Sequence, residues 1–128
     1  RSIVAVLPLA PRPASSYIEY KEVRASTEDI IRVLNFAWHR NIMPEFVASL
    51  SIAGKDGTTR NLFKRKDLRN AARIKTGTLN SVISAGGYLF SKSGAVYSFA
   101  AIVNRKNLSK NKARNTLEDI IKLVVEKL

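Results

Sequence analysis

The sequence predicts an α+β fold, an antiparallel sheet covered by helices, and three observations carry that expectation. Two runs late in the chain, SVISAGGYLF (Ser81–Phe90) and AVYSFAAIV (Ala95–Val103), are strand-like and apolar at nearly every position. A sheet with one wet face would place polar residues at alternate positions, so this sheet should carry helices on both sides. The runs are joined by SKSG, in which Gly94 is available for the positive φ of a tight hairpin. Finally, Ala113, Leu117, Ile120, Ile121, Val124, Val125 and Leu128 form an apolar stripe at the helical period. With the shorter run ARIKTGT ahead of them, the strands should follow the chain as 72–78, 81–90 and 95–103, with a helix over 112–127 on one face.

Taken in order, residues 1–14 are apolar and then Pro-rich (LPLAPRPA), which predicts a loose arm or connector, part of it polyproline-like. SYIEYKEV (Ser16–Val23) alternates weakly and predicts a short strand. Residues 1–25 are therefore read as an arm and 26–128 as the folded unit. In STEDIIRVLNFAWHR, Ser26 and Asp29 form a capping-box-like start, with Asp where Glu or Gln is usual, and Ile30, Leu34, Ala37 and Trp38 recur at helical spacing. That helix should end near His39, close to the negative end of its dipole. Pro44 can begin a further short helical turn, PEFVASL. AGKDGTTR (Ala53–Arg60) is turn chemistry around Asp-Gly. The basic segment that follows, up to Arg73, reads as a loop with one helical turn. Asn115 and Glu118 supply a start signal for the last helix, which leaves room for an earlier start.

The length of 128 residues suits one small domain, and a hydrophobic content of 45% is enough for it to fold. No cysteine is present, so disulfides and thiol nucleophiles are excluded; with one histidine, no zinc site is expected, and no cofactor is called for. The apolar runs are too short and too interrupted to span a bilayer, and RSIVAVLPLAP does not read as a signal peptide. A start at Arg1 fits a fragment or a processed product.

The formal net charge of +12 attracts anions without saying which. Arg60, Lys64, Arg65, Lys66, Arg69, Arg73 and Lys75 form one basic cluster, and Arg105, Lys106, Lys110, Lys112 and Arg114 a second. For the first cluster a solvated loop is the leading reading, an anionic glycan or lipid surface the next, and nucleic acid the last. Tyr88, Tyr97 and Phe99 could form a base-stacking platform, but their apolar surroundings place them in the core. Trp38 and Met43 are expected in the core or against a region outside the chain.

RIKTGTLNSV (Arg73–Val82) sets Lys-Thr-Gly-Thr between a basic loop and a long apolar run. A strand with this tetrapeptide, two antiparallel strands and a C-terminal amphipathic helix resembles the end of a penicillin-binding or serine β-lactamase domain, in which K-T-G is one of three site elements. MPEFVASLSIAGKDGTTRNLFK (Met43–Lys64) and GGYLFSKSGAVYSFAAIVN (Gly86–Asn104) extend the match. The chain resembles the D-alanyl-D-alanine carboxypeptidase/endopeptidases, the class C low-molecular-mass penicillin-binding proteins, from about Ile30 to Val125. The resemblance implies the C-terminal part of a β-lactamase/transpeptidase-like domain, acting on peptidoglycan stem peptides and β-lactams outside the cytoplasm. It further implies that Lys75, Thr76 and Thr78 hold a substrate carboxylate, that Gly77 lets substrate lie close to the strand, and that the Thr78 backbone N–H is an oxyanion-hole donor. Asp56, Gly57 and Thr58 match a segment read as architectural.

Two further elements of that family site, the nucleophile of S-x-x-K and an S-x-N, do not precede Lys75. The one S-x-x-K, Ser109–Lys112, lies after the strands and beside a helix start, so it is not expected to be catalytic. The chain is thus expected to be one part of such an enzyme, inactive by itself and completed by an upstream segment. The alternative is a small basic module that binds nucleic acid or another polyanion, with K-T-G-T coincidental.

Overall fold

A computed structural model of the chain describes residues 2–8, 26–55, 59–60, 70–79, 82–104 and 109–128. Its elements are β1 (Ser2–Pro8), α1 (Thr27–Trp38), α2 (Met43–Ser49), β2 (Ser51–Ile52), β3 (Ala72–Leu79), β4 (Val82–Phe90), β5 (Val96–Asn104) and α3 (Lys110–Lys127). The strands form one antiparallel sheet in the order β1-β5-β4-β3-β2, with β4 in the middle.

Both faces of this sheet are covered, as the two-sided apolar strands require. On one face Ala85 and Leu89 of β4, Phe99 and Ala101 of β5, and Ala72 and Ile74 of β3 pack under Leu117, Ile121, Val124 and Val125 of α3. On the other, Tyr88 and Ala100 pack under Ile31 and Leu34 of α1, with Leu50 just past α2. Successive strand residues point to opposite faces, so β4 serves both layers with alternate side chains. The Tyr88 ring meets Trp38 at 5.1 Å and Phe46 edge-on at 6.4 Å, and its hydroxyl donates to the Leu34 carbonyl at 2.6 Å. Tyr88 and Phe99 are fully buried, which removes the stacking platform considered from sequence.

Close strand packing explains one glycine and hairpin geometry another. A Cβ on Gly87 would stand 1.9 Å from the Arg73 carbonyl oxygen, a distance no side chain tolerates. Gly94, in the β4–β5 hairpin, has φ +88, as its turn position predicted.

Helix α1 starts as read from the sequence. The Asp29 N–H donates to Ser26 Oγ at 3.2 Å, and the Ser26 N–H donates to Asp29 Oδ2 at 2.9 Å, so aspartate closes the box in place of the usual longer side chain. His39 is the C-cap, and Pro44 lies in the first turn of α2.

One expectation is corrected. Ser2–Pro8, part of the expected loose arm, is edge strand β1, paired with β5 from Ser2↔Val103 to Pro8↔Tyr97. Helix α3 begins two residues ahead of the expected 112–127, at Lys110, where Ser109 caps it by accepting from the Lys112 N–H at 3.1 Å. The expected strand over 16–23, Asp56, Gly57 and Thr58, most of the first basic cluster, and Arg105 and Lys106 lie outside the described residues.

Leu117 is 3% exposed beneath the sheet. Leu117→Ala should cost about 2–5 kcal/mol in denaturant unfolding, through lost transfer energy and a residual cavity. Burial pushes the Tyr88 phenol up from 10.0 to about 12. The stability tied to its neutral form should be complete below the unfolded value and lost as pH rises through the folded one. An ultraviolet titration of the wild type should show one late phenol that Tyr88→Phe removes.

Candidate functional site: the open edge of β3

The peptide groups of β3 alternate between its two neighbours. Ala71 O accepts from the Phe90 N–H at 2.8 Å on the β4 side, and Ala72 O accepts from the Ala53 N–H at 3.0 Å on the β2 side. Continuing that alternation, the backbone N–H and C=O of residues 74, 76 and 78 face away from β4. Strand β2 reaches only Arg73 and Ile74, through Ile52 and Ser51. It starts there because the chain just before it is helix α2, which ends at Ser49. Among the described residues, then, the outer edge of β3 from Lys75 to Leu79 pairs with no strand, and the backbone groups of Thr76 and Thr78 point along it.

Beside this edge lies a cleft of about 840 Å³. Its walls are Ile30, Val33 and Leu34 from α1, Phe46 and Leu50 from the α2 end, and the β3–β4 floor at Lys75, Gly77, Ser84 and Gly86. The walls are mainly apolar, and Val33 among them is exposed. Asp29 stands at the rim, its carboxyl held below the ordinary value of 3.8 by the Ser26 backbone N–H first, then the Ser26 hydroxyl, with Arg32 contributing least. Lys75 is exposed, and its ammonium donates to the Thr76 carbonyl at 2.6 Å. That carbonyl is one of the outward edge groups.

Strand alternation refines the picture drawn from sequence. Lys75 and Gly77 occupy the α1 face of β3, opposite Gly86 and Ser84, whereas positions 76 and 78 share the parity of Ile74 on the α3 face. Lys75, Thr76 and Gly77 all line the cleft, Thr76 from the strand edge. Thr78 enters the described structure through its backbone in β3. Ser109 lies elsewhere, as the cap of α3; it also heads an S-x-N match with Asn111, and both matches fall on that helix start.

Sequence reasoning missed Asp29, Ser84 and the apolar walls as parts of one cleft. A signal for Ser84 was available. Leu79 pairs with Val82, and a connection of two residues between β3 and β4 sets Gly77 opposite Ser84. The wall residues carried no comparable signal, since their helical spacing reads as ordinary core.

Among the described residues, then, a strand edge without a partner strand runs beside a mainly apolar cleft, with the exposed Lys75 ammonium at its start. The chain belongs to the D-Ala-D-Ala carboxypeptidase 3 (S13) family, whose sequence profile matches residues 21–126. Penicillin binding protein 4 from Haemophilus influenzae, solved with a β-lactam, is similar with a TM-score of 0.70 and 17% identity over 79% of this chain and 25% of that one. A second structure of that protein gives 0.61 and 20% identity over 75% and 24%. A predatory endopeptidase from Bdellovibrio bacteriovorus, solved with an immunity protein, gives 0.57 and 20% identity over 78% and 27%. These identities show a shared fold, and the chain spans about a quarter of the length of each of these proteins. No curated protein sequence matches it.

The capping box at the cleft rim should be pH-sensitive. With a depressed folded value, the Asp29 contribution should be complete above the ordinary 3.8 and lost as pH falls through the lower one. Carboxyl chemical shifts should place the Asp29 titration below the ordinary range, and Ser26→Ala should move it upward.

Proposed function

We propose that this chain is the C-terminal part of a serine D-Ala-D-Ala carboxypeptidase/endopeptidase acting on peptidoglycan stem peptides outside the cytoplasm. The observation that carries the reading is the bare edge of β3, with Lys75 at its start and the peptide groups of Thr76 and Thr78 turned outward. An extended peptide adds to this edge as a further strand. The Lys75 ammonium, a compact point charge, holds the terminal carboxylate of the peptide or that of a β-lactam. The Thr76 backbone pairs with the ligand. The Thr78 N–H donates to the oxygen that gains negative charge as a nucleophile attacks the carbonyl, so its value lies in the transition state more than in binding. Gly77 keeps the strand surface low where the ligand passes.

The nucleophile and its activating lysine are supplied by a segment outside these residues, and this chain alone is inactive. Family membership over residues 21–126 supports the reaction class. Among the described residues no helix is long and apolar enough to cross a membrane.

The test uses the full-length protein that carries this chain and a fluorescent penicillin. Lys75→Ala should slow acylation by about a hundredfold or more, as expected for losing one electrostatic contact to the transition state. Its melting temperature should stay close to that of the wild type, because the lysine is exposed. Lys75→Arg should rescue only in part, since a guanidinium is planar and longer. The isolated chain should form no adduct that survives denaturation. Acylation of Lys75→Ala at the wild-type rate would overturn the assignment.

A further inference from the structure

Two cations of β3 reach the same end of its open edge. Arg73 and Lys75 stand two positions apart on the strand, so both rise from the face that Tyr88, the register partner of Arg73, shares with α1. Both charged heads touch backbone on the outer side of the strand. The Lys75 ammonium donates to the outward Thr76 carbonyl at 2.6 Å. The Arg73 guanidinium leans to the β2 side, where its Nη1 stands 3.5 Å from the Leu50 carbonyl oxygen. That distance is at the long limit of a hydrogen bond. Arg73 is half-buried, and among the described residues no carboxylate pairs with it. One long contact leaves most of its five N–H donors open to an anion.

The register of β2 shows where that guanidinium stands relative to a ligand. Ser51 pairs with Ile74 and Ile52 with Arg73, so continuing the register sets Leu50, which is in extended conformation, opposite Lys75. The chain before Leu50 is helical, and among the described residues the edge past this point has no partner strand. Strand β2 runs antiparallel to β3. A peptide that adds antiparallel to the rest of the edge runs in line with β2, and its C-terminal end meets Leu50. The terminal carboxylate then comes to rest between the Lys75 ammonium and the Arg73 guanidinium. A parallel peptide would bring its N-terminal ammonium to the same two cations, which repel it.

We infer that Arg73 is a specificity residue of this site: with Lys75 it forms a two-cation stop that receives the free C-terminal carboxylate of an extended ligand. The guanidinium exchanges its long contact with Leu50 for a charge-assisted bond to a carboxylate oxygen, which is the stronger of the two. This assignment rests on the reading of Lys75 given above. It holds for a peptide and for a β-lactam alike, since each brings a carboxylate to the start of the edge. It also orders the site along β3, with the carboxylate at Arg73 and Lys75, main-chain pairing at Thr76 and the reacting carbonyl toward Thr78.

The experiment measures kcat/KM of the full-length protein that carries this chain on two peptides ending in D-Ala-D-Ala, one with a free terminal carboxylate and one with a carboxamide in its place. Arg73→Met keeps an apolar stem and removes the charge. It should lower kcat/KM on the free acid by about ten- to a hundredfold, the range of a hydrogen bond to a charged group, mainly through KM. On the carboxamide, Arg73→Met and the wild type should agree. Arg73→Lys, which keeps the charge, should retain part of the preference for the acid. Arg73→Gln supplies the same neutral test should the methionine variant fail to fold. Equal losses on acid and carboxamide would make Arg73 merely structural and overturn the assignment. Wild-type activity of the neutral variants on the acid, with Lys75→Ala impaired, would overturn the role of Arg73 and leave that of Lys75 standing. Wild-type activity in the neutral variants and in Lys75→Ala would remove the reading of the edge and this inference together.

Discussion

The burial of consecutive β4 and β5 side chains on opposite faces of the sheet is the constraint on which the rest of the structure depends. Strand β4 shows it best, with Leu89 closed under α3 and Tyr88 closed under α1 and α2 in consecutive positions. Consecutive side chains buried on opposite faces leave neither face to water at this point of the strand, so both helical layers are obligatory. The fit is close enough that Gly87 has no room for a Cβ against β3. The Tyr88 hydroxyl, caught in the dry layer, is satisfied by the Leu34 carbonyl, which ties the middle strand to the helix that walls the cleft.

The α1 face of β3 stays open at Lys75 and Gly77, where the cleft meets the strand edge. On the β3 side the chain covers two residues with β2 and is helical just before them, so among the described residues the edge has no partner strand from Lys75 on. Bare edges invite pairing with other chains, and a lysine on the edge is one of the ways proteins restrain it. Lys75 suits both demands. Its ammonium rests on the Thr76 carbonyl in the free state, where it discourages indiscriminate strand addition, and a carboxylate-bearing ligand offers it a stronger partner. In the proposed function the same residue that protects the edge would also favour an anionic peptide.

Membership of the D-Ala-D-Ala carboxypeptidase 3 (S13) family gives this edge a chemical context, and the match covers about a quarter of each similar solved structure. The cleft beside the edge is mainly apolar, and the exposed Lys75 ammonium stands at its border. Asp29, the acid at the rim, is already committed to the cap of α1 through Ser26. That commitment leaves the electrostatics of the floor to Lys75.

The sequence by itself determined what local chemistry controls. Ser26 and Asp29 announced the start of α1, Gly94 the β4–β5 hairpin, and the stripe from Ala113 to Val125 the buried face of α3. Apolarity on both faces of two strands required helices on both sides, and Lys-Thr-Gly-Thr lies on the strand that borders the cleft. What tertiary structure alone decided lies in contacts between distant residues. The Pro-rich composition after Leu7 reads as a loose arm, yet Ser2–Pro8 becomes a strand because β5, more than ninety positions on, offers it an open edge. Ser109, Asn111 and Asn115 are all competent helix starts by residue type, and Ser109 is the one used; the earlier start brings Ala113, fully buried, into the helix. The cleft is the clearest case: α1, the end of α2 and the β3–β4 floor contribute to it from separate parts of the chain, and only the register of β3 on β4 brings Ser84 beside Lys75 and Gly77. Local periodicity tells which side of an element is apolar, but it does not say which apolar side is left facing a space.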